Sequence, residues 1–468
     1  MKLSHSQLKT SLSALLILLT LVASLPIARA AQIPLGYRKD YFILGDVRRI
    51  DDPIPGDKPG LVNFRSAVNT ENDEVLFVWS LSRDSGKLWH YTVGQSLSAD
   101  GTPIAATQTY FDPLHGVDSD NYSEILPEVA YNTASNEYLV VSHDLRRYFE
   151  RFTIQVGPVG RILPRTAEYD DPPFRIGQVQ RVQLLRYNPL ENNYLTLGNE
   201  DQKGVYSSVL DSAGVSLTVS SRLDGLPSDP INADPAAVSL SLASNQYLAI
   251  FARAAASRSI EAQLLDKWGN PVGDRILLAT SNDQNSLRRV EIAYDSEKDQ
   301  FLVAYEAGQS VKGRLVNGAG GAMGDELVLS SLPVSGGLLD FSLVFDEGLK
   351  RYALATIRDS KHLDLSVFDR NGQRLGVPLN AATTYENMHE IELVAFGEGK
   401  LLAAWTTSYL FASKTEIYGR SIQLVPEPMH ANAVFTVFTL AMLCRLRSIN
   451  IKKTRKNSGF LMTQGRQV

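Results

Sequence analysis

The sequence predicts an all-β protein built as a seven-bladed β-propeller, and three observations predict it. First, one pattern recurs seven times: a short alternating strand ending near an aromatic or aliphatic residue, a polar turn, then a second apolar strand starting seven residues later. The paired positions are Val68 and Val75, Tyr131 and Tyr138, Tyr187 and Tyr194, Leu240 and Tyr247, Tyr294 and Phe301, and Phe345 and Tyr352. A seventh copy, Val394 to Trp405, has a tighter turn at Gly397-Glu398-Gly399. Second, the copies lie about 50 to 60 residues apart, which is room for four short antiparallel strands, the content of a propeller blade. Third, second strands such as Phe301-Leu302-Val303-Ala304-Tyr305 and Tyr138-Leu139-Val140-Val141 are apolar on both faces. Such a strand must be covered on both sides, and neighbouring blades do that, so the units are expected to fold only together. Six or eight blades are the alternatives to seven.

The elements follow in order within each unit. First strands alternate, as in Val290, Ile292, Tyr294 and again in Phe341, Leu343, Phe345. Third strands end in turns of Asp and Gly: Ala99-Asp100-Gly101, Asp211 to Gly214, Asp266-Lys267-Trp268-Gly269 and Asp369-Arg370-Asn371-Gly372. Asp starts such turns through its side-chain acceptor, and Gly supplies the positive φ of a tight hairpin. Fourth strands, Asp274 to Leu278 or Asp325 to Leu329, are more polar, as an exposed outer edge should be. The segment Thr107 to Leu126 shows no two-strand pattern and is expected to be an inserted loop. Trp79 and Trp405 fall in second strands and are expected in the core, whereas Trp268 sits in an outer hairpin and is expected at the surface.

The seventh unit runs out after Glu416 to Leu424 without a fourth strand. At the other end of the chain, Leu44-Gly45-Asp46-Val47-Arg48-Arg49-Ile50 lines up with Val272-Gly273-Asp274-Arg275-Ile276-Leu277-Leu278. Residues 41 to 50 are therefore expected to complete the last blade and close the ring. An N-terminal arm lying across one face is the alternative. The repeat body also resembles exported bacterial repeat proteins, through Asn136-Glu137-Tyr138-Leu139-Val140-Val141 and Asp266-Lys267-Trp268-Gly269-Asn270-Pro271-Val272-Gly273; that resemblance implies a fold and no function.

The termini state an address. Residues 1–30 combine Lys2 and Lys9, an apolar run from Leu12 to Leu25, and Ala28-Arg29-Ala30, which is the layout of a cleavable signal peptide. A retained anchor is the alternative, and the run is short for a span of about 20 residues. The body occupies 31–425. In 426–468, Pro426-Glu427-Pro428 precedes an apolar stretch, Ala433 to Cys444, expected to be a short hydrophobic helix. A basic cluster follows: Arg445, Arg447, Lys452, Lys453, Arg455 and Lys456. This order resembles the PEP-CTERM sorting signal of Gram-negative bacteria. The apolar run is shorter than usual there, and a polar tail, Asn457 to Val468, follows the basic cluster. The resemblance implies a signal peptidase and an exosortase-type sorting enzyme as partners, and an association with exopolysaccharide. It implies a place in the periplasm, at the cell surface or outside, with transient or permanent anchoring in the inner membrane. The basic cluster independently favours a cytoplasmic end, with the body on the other side. A loosely packed amphipathic tail is the alternative.

Composition excludes several classes. The 468 residues carry a net charge of -5, with 44% hydrophobic and 21% charged residues, an ordinary globular balance without a basic footprint for nucleic acid. A single cysteine, Cys444, rules out an intramolecular disulfide. No histidines pair at metal-ligand spacing, and His389-Glu390 begins like a zincin motif but has Leu393 where the second histidine would stand. Neither a G-x-S-x-G elbow nor dinucleotide glycine spacing is present, so no cofactor and no catalytic residue is assigned. The loop Asp112 to Glu124 is long and acidic: His115, Asp118, Asp120, Tyr122 and Glu124 are candidate ligand-face residues. Asp118, Asp120 and Glu124 are also hard oxygen donors that suit calcium, although a solvated insertion explains them as well. Arg146, Arg147 and Tyr148 are expected on the same face, and arginine with tyrosine suits acidic sugars or a protein partner. The expected function is a non-enzymatic, envelope-associated module or scaffold that binds an extracellular polysaccharide or a protein. The competing class is a polysaccharide lyase or glycosidase with its site on one propeller face.

Overall fold

Alternation in the first strands and two-sided apolarity in the second strands have one structural cause. In the computed structural model, every second strand sends its odd and even residues into two different cores. Phe301, Val303 and Tyr305 pack into one cluster with Leu248, Ile250 and Ile260 of the preceding unit. Leu302 and Ala304 pack into another with Phe341, Leu343 and Leu354 of the following unit. The same division repeats around the molecule and gives seven cores, one for each seam between neighbouring blades. The structure describes residues 42–51, 62–84, 88–104, 109–110, 127–144, 150–156, 181–200, 204–218, 221–223, 233–254, 258–281, 287, 289–331, 338–408 and 415–425. All but residue 425 belong to a unit that ends at Leu424.

The result is the expected β-propeller. Six antiparallel sheets have four strands, and the sheet of the second blade has three among the described residues. Blade five is typical, with Val290–Asp295, Gln300–Ala307, Ser310–Asn317 and Ala322–Ser331 paired in sequence order. The inner strands, from blade one to blade seven, are Val62–Asn69, Glu128–Asn132, Arg181–Asn188, Ala233–Ser241, Val290–Asp295, Leu338–Asp346 and Asn387–Gly397. Each touches the next, and the last touches the first, so they ring a central axis. All six paired positions read from the sequence are direct cross-strand partners, including Tyr131 with Tyr138 and Tyr294 with Phe301. Trp79 and Trp405 are buried and Trp268 is exposed.

The N-terminal strand closes the ring. Phe42–Arg49 pairs antiparallel with Thr415–Leu424 and becomes the outer strand of blade seven. Arg49 fixes the seam by bridging Asp51 at 2.9 Å and the buried Glu416 at 2.9 Å. Asp51 also accepts from the Ile417 amide at 3.1 Å. One expectation needs correction. Part of Thr107 to Leu126 is not loop: Thr109–Tyr110 pairs with Val93 and Gly94 as the outer strand of blade one. A two-residue strand is too short to show alternation. The signal peptide, the 426–468 segment and its apolar helix lie outside the described residues. Among the described residues no helix is long and apolar enough to cross a membrane.

One contact system links the blades along the inner-hairpin turns. Asn69, Asn132 and Asn188 each end an inner strand, fully buried. The Oδ1 atom of each accepts two backbone amides of its own turn, and the Nδ2 donates to the next blade's turn: to Asn136 at 3.0 Å, Asn192 at 3.1 Å and Asn245 at 2.9 Å. Asn136, Asn192 and Asn245 have φ of 53, 50 and 53°, the left-handed region that asparagine tolerates best after glycine. Blade four uses Ser241 to Asp299 at 2.6 Å instead. At blade five Asp295 replaces the asparagine and cannot donate; Arg370 of blade six grips it bidentately at 2.6 and 2.7 Å.

Candidate functional site: a charged central channel

Inner strands in a propeller bring side chains toward the axis, and here one register carries charge. Arg65, Glu128 and Glu291 each stand three residues before a paired position of the inner hairpin, and Glu392 stands three before Ala395, the partner of Leu401. Arg289, Asp340 and Glu390 lie two residues nearer the strand starts. Arg186 lies one residue before its pair. These groups come from six of the seven blades.

They stitch adjacent inner strands together. Arg65 Nε donates to Glu128 Oε1 at 3.0 Å, toward blade two. Its Nη1 donates to the Phe64 carbonyl at 3.1 Å and to Glu392 at 3.5 Å, toward blade seven. Ser66 Oγ adds a bond to Glu392 at 3.4 Å. Asp340 ion-pairs with Arg289 and accepts the Ile391 amide at 3.0 Å, tying blades five, six and seven. Glu390 accepts the Phe64 amide at 3.2 Å. Arg186 Nε donates to the Val238 carbonyl at 2.8 Å.

Exposure separates the two charge signs. The side chains of Arg65 and Arg289 are 42% and 44% accessible, and Arg186 is exposed. The acids behind them are much less so: Glu128 9%, Asp340 14% and Glu392 19%. Glu128, Asp340 and Glu392 thus sit in the wall and hold the more accessible guanidinium heads of Arg65 and Arg289. Burial drives the carboxyls toward the protonated form. Glu392 is pushed up to about 8, by burial first, against the pull of Arg65 and with further push from Glu291, Asp340 and Glu128. Glu291 rises to about 7, again by burial, although Arg65, Arg186 and Arg289 all pull it down. Burial also outweighs the paired arginines at Glu128 and Asp340, which are both raised. Arg65 on blade one and Glu291 on blade five are not neighbours along the ring, so their coupling acts across the axis. The Glu291 carboxyl makes no hydrogen bond among the described residues, and neither do the terminal nitrogens of Arg186.

The sequence pointed elsewhere. His115, Asp118, Asp120, Tyr122, Glu124, Arg146, Arg147 and Tyr148 all lie outside the described residues, as do Pro426, Glu427 and Pro428. Among the described residues no group of three or more His, Cys, Asp or Glu could hold a metal ion. His389 is an exposed residue whose Nε2 meets Ser408 Oγ at 2.5 Å. The channel charges were missed because Glu291 in Val290-Glu291-Ile292 looks like the solvent-facing half of an alternating strand. The signal was positional: four charged residues at one register of the repeat. A fully exposed aromatic, Tyr385, lies in the connection that leads from blade six into the inner strand of blade seven.

No family model matches the chain, and no curated protein matches it. Solved structures that are similar share the fold at low identity. A protein of unknown function from Dyadobacter fermentans is 9% identical, with 81% of this chain and 99% of that chain covered and a TM-score of 0.46. The β-propeller domain of the Trilobed protease from Pyrococcus furiosus, described as having an open velcro topology, is 10% identical, covers 79% and 99%, and has a TM-score of 0.39. The periplasmic gluconolactonase of Pseudomonas aeruginosa is 12% identical, covers 68% and 85%, and has a TM-score of 0.42. These likenesses concern architecture alone.

Proposed function

We propose that this protein is an exported, envelope-associated propeller that acts as a binding module, with the central channel and its mouth as the site, and that its ligand is an extracellular polysaccharide. The observation that carries this is the set of open polar groups on the axis. A network serving only to join the blades would spend its side chains on one another, whereas open polar side chains on the axis are the convergent groups that a ligand in a concave site meets. Here the Glu291 carboxyl and the Arg186 fork are left without hydrogen-bond partners among the described residues. The exposed ring of Tyr385, in a connection entering the channel wall, adds the flat apolar surface on which sugars stack. Export and sorting rest on the termini: the signal-peptide layout of residues 1–30 and the order Pro426-Glu427-Pro428, apolar run, basic cluster. An envelope protein is the other partner class that this address suits.

A glycan array probed with the full chain tests the proposal. Binding to extracellular glycans, weakened by Tyr385→Ala and by Arg186→Gln, is expected; no glycan bound by the wild type would overturn it. A second reading, a polysaccharide lyase or glycosidase, is favoured by Glu291 and Glu392, whose protonation lies near neutral pH, where a general acid or base works best. Product release from a bound glycan, lost in Glu392→Gln with binding kept, would establish that reading in place of simple binding. Alanine in place of Pro426, Glu427 and Pro428 should alter processing or release; identical fractionation would remove the sorting assignment.

A further inference from the structure

We propose that the face carrying the inner-hairpin turns lies on a phospholipid bilayer, with Leu190, Leu242 and Trp268 dipping into its headgroup layer. This rests on the envelope association proposed above and names the face that meets the membrane. Three turns of blades three and four gather at one carboxylate. Glu191 Oε1 accepts from Lys267 Nζ at 3.0 Å and from Asn245 Nδ2 at 2.7 Å, and so joins the turns 189–192, 242–245 and 267–269. From these turns project Leu190, Leu242 and Trp268, 53%, 42% and 42% exposed, beside the exposed Pro189 and Ala243. The repeat shows that the turns themselves do not demand apolar tips. Where blade three has Leu190, blades one and five have Glu71 and Glu297. Where blade four has Leu242, blades one and six have Thr70 and Glu347. Where it has Trp268, blades one and six have Asp100 and Asn371. Exposed apolar side chains gathered on adjoining turns mark a surface that meets another apolar phase.

The point where the chain leaves the propeller says which phase that is. Thr415–Leu424 ends at the inner-hairpin turn of blade seven, where the Leu424 amide donates to the Gly399 carbonyl at 2.7 Å. The inner-hairpin turns share one face, because side chains link them from blade to blade. Asn188 to Asn245, Asp346 to the Gly399 amide at 2.9 Å and Lys400 to Asp73 at 2.8 Å are three of these links. Residues 426–468, with their apolar run and basic cluster, therefore continue from the face that carries Trp268. Blade seven stands across the ring from blades three and four. One point of attachment would let the propeller pivot, and an apolar contact on the far side of the ring lays the face flat. Stable seating on a bilayer takes two such signals, and tryptophan with leucine is the composition of an interfacial contact. Charge contributes little, since Lys267 is paired with Glu191 and its ammonium lies 5.3 Å from the centroid of the Trp268 ring. The connections that lead into the inner strands, that of Tyr385 among them, lie at the opposite ends of those strands, so the proposed ligand mouth points away from the membrane.

Flotation of the full chain with phosphatidylethanolamine–phosphatidylglycerol vesicles containing brominated phosphatidylcholine tests this, with tryptophan emission as the second readout. The expected result is co-flotation undiminished by high salt, together with bromolipid quenching that Trp268→Phe reduces at least twofold. Trp79 and Trp405 are buried and out of reach of the lipid, and the difference between wild type and Trp268→Phe isolates Trp268. Leu190→Ser, Leu242→Ser and Trp268→Ser combined should weaken vesicle partitioning at least tenfold at an unchanged melting temperature. Co-flotation with equal quenching in wild type and Trp268→Phe would overturn the seated face and keep the envelope association; no co-flotation at all would overturn both. Trp268 emission that shifts with a soluble glycan and not with vesicles would make the cluster a sugar platform. A dimer in sedimentation that the triple variant abolishes would make it a contact between copies of the chain. Either result overturns the membrane assignment.

Discussion

At the residue scale, the link between blades five and six is the exception that tests the rule of the others. Blades one to three use a neutral asparagine, which accepts from its own turn and donates to the next blade. Asp295 keeps the accepting half, taking the amides of Glu297 and Lys298 at 3.2 Å each, but it is wholly buried and charged. Among the described residues Arg370 is its ion-pair partner, and the guanidinium rises in turn, chiefly because it donates to Asp295. Removing one partner of such a pair strands the other charge. Arg370→Met should therefore cost about 2–4 kcal/mol in a denaturant titration, toward the lower end of what breaking a fully buried pair costs because Arg370 lies near the surface. Adding Asp295→Asn to that variant removes the stranded charge while preserving the two turn acceptors. Most of the loss should return. If the double variant were as unstable as Arg370→Met alone, packing of the arginine stem rather than charge would be the cause.

At the element scale, the closing strand decides whether the ring is one cooperative body. Phe42 and Ile50 are almost completely buried, one in the seam between blades six and seven and the other in the seam between blades seven and one. Deleting residues 32–52 would uncover both seams, expose the edge of Thr415–Leu424, and leave Glu416 buried without Arg49. A fall of many degrees in melting temperature, with association through the open edge, is expected by thermal scanning and light scattering. An unchanged melting temperature would show that the strand is an accessory. This closure was legible in the sequence because Leu44 to Ile50 repeats the residue types of Val272 to Leu278, and outer strands carry a local signature of their own. The inner hairpins were legible for the same reason: Tyr294 and Phe301, or Tyr131 and Tyr138, mark register without any tertiary information. The Thr109–Tyr110 strand was not legible, since two residues carry no period. Nor was the channel, because Arg65 and Glu291 stand 226 positions apart and only the seven-fold arrangement lets them act on each other across the axis.

At the scale of the whole molecule, gathering charge on the axis makes stability depend on pH in a direction opposite to that of ordinary surface salt bridges. Glu392 and Glu291 are raised to about 8 and about 7 in the folded protein, whereas in the unfolded chain they return to ordinary glutamate values. Between those limits the folded state holds protons that the unfolded state has released. Stability is then fully present at the low-pH end and is lost as pH rises through 7 and 8. Glu128 and Asp340 are raised as well and act in the same sense. Asp100, Glu191, Glu297 and Glu326 are lowered by their hydrogen bonds and ion pairs, so their contribution disappears only in acid, below the ordinary carboxylate range. His389, exposed as a residue but with its ring partly desolvated, is lowered by that desolvation and weakens the fold only below its ordinary value of 6.5. The window from pH 6.5 to 8.5 therefore isolates the channel. Across it the wild type should lose roughly 1–3 kcal/mol of stability, seen as a melting temperature several degrees lower at pH 8.5. Glu392→Gln, which keeps the shape but cannot ionise, should flatten most of that slope, and Glu291→Gln the part centred near pH 7. A wild-type melting temperature that rises from pH 6.5 to 8.5 would mean that the arginines neutralise the axis completely, and the channel carboxyls would then be ordinary ion-pair partners rather than groups poised between two protonation states.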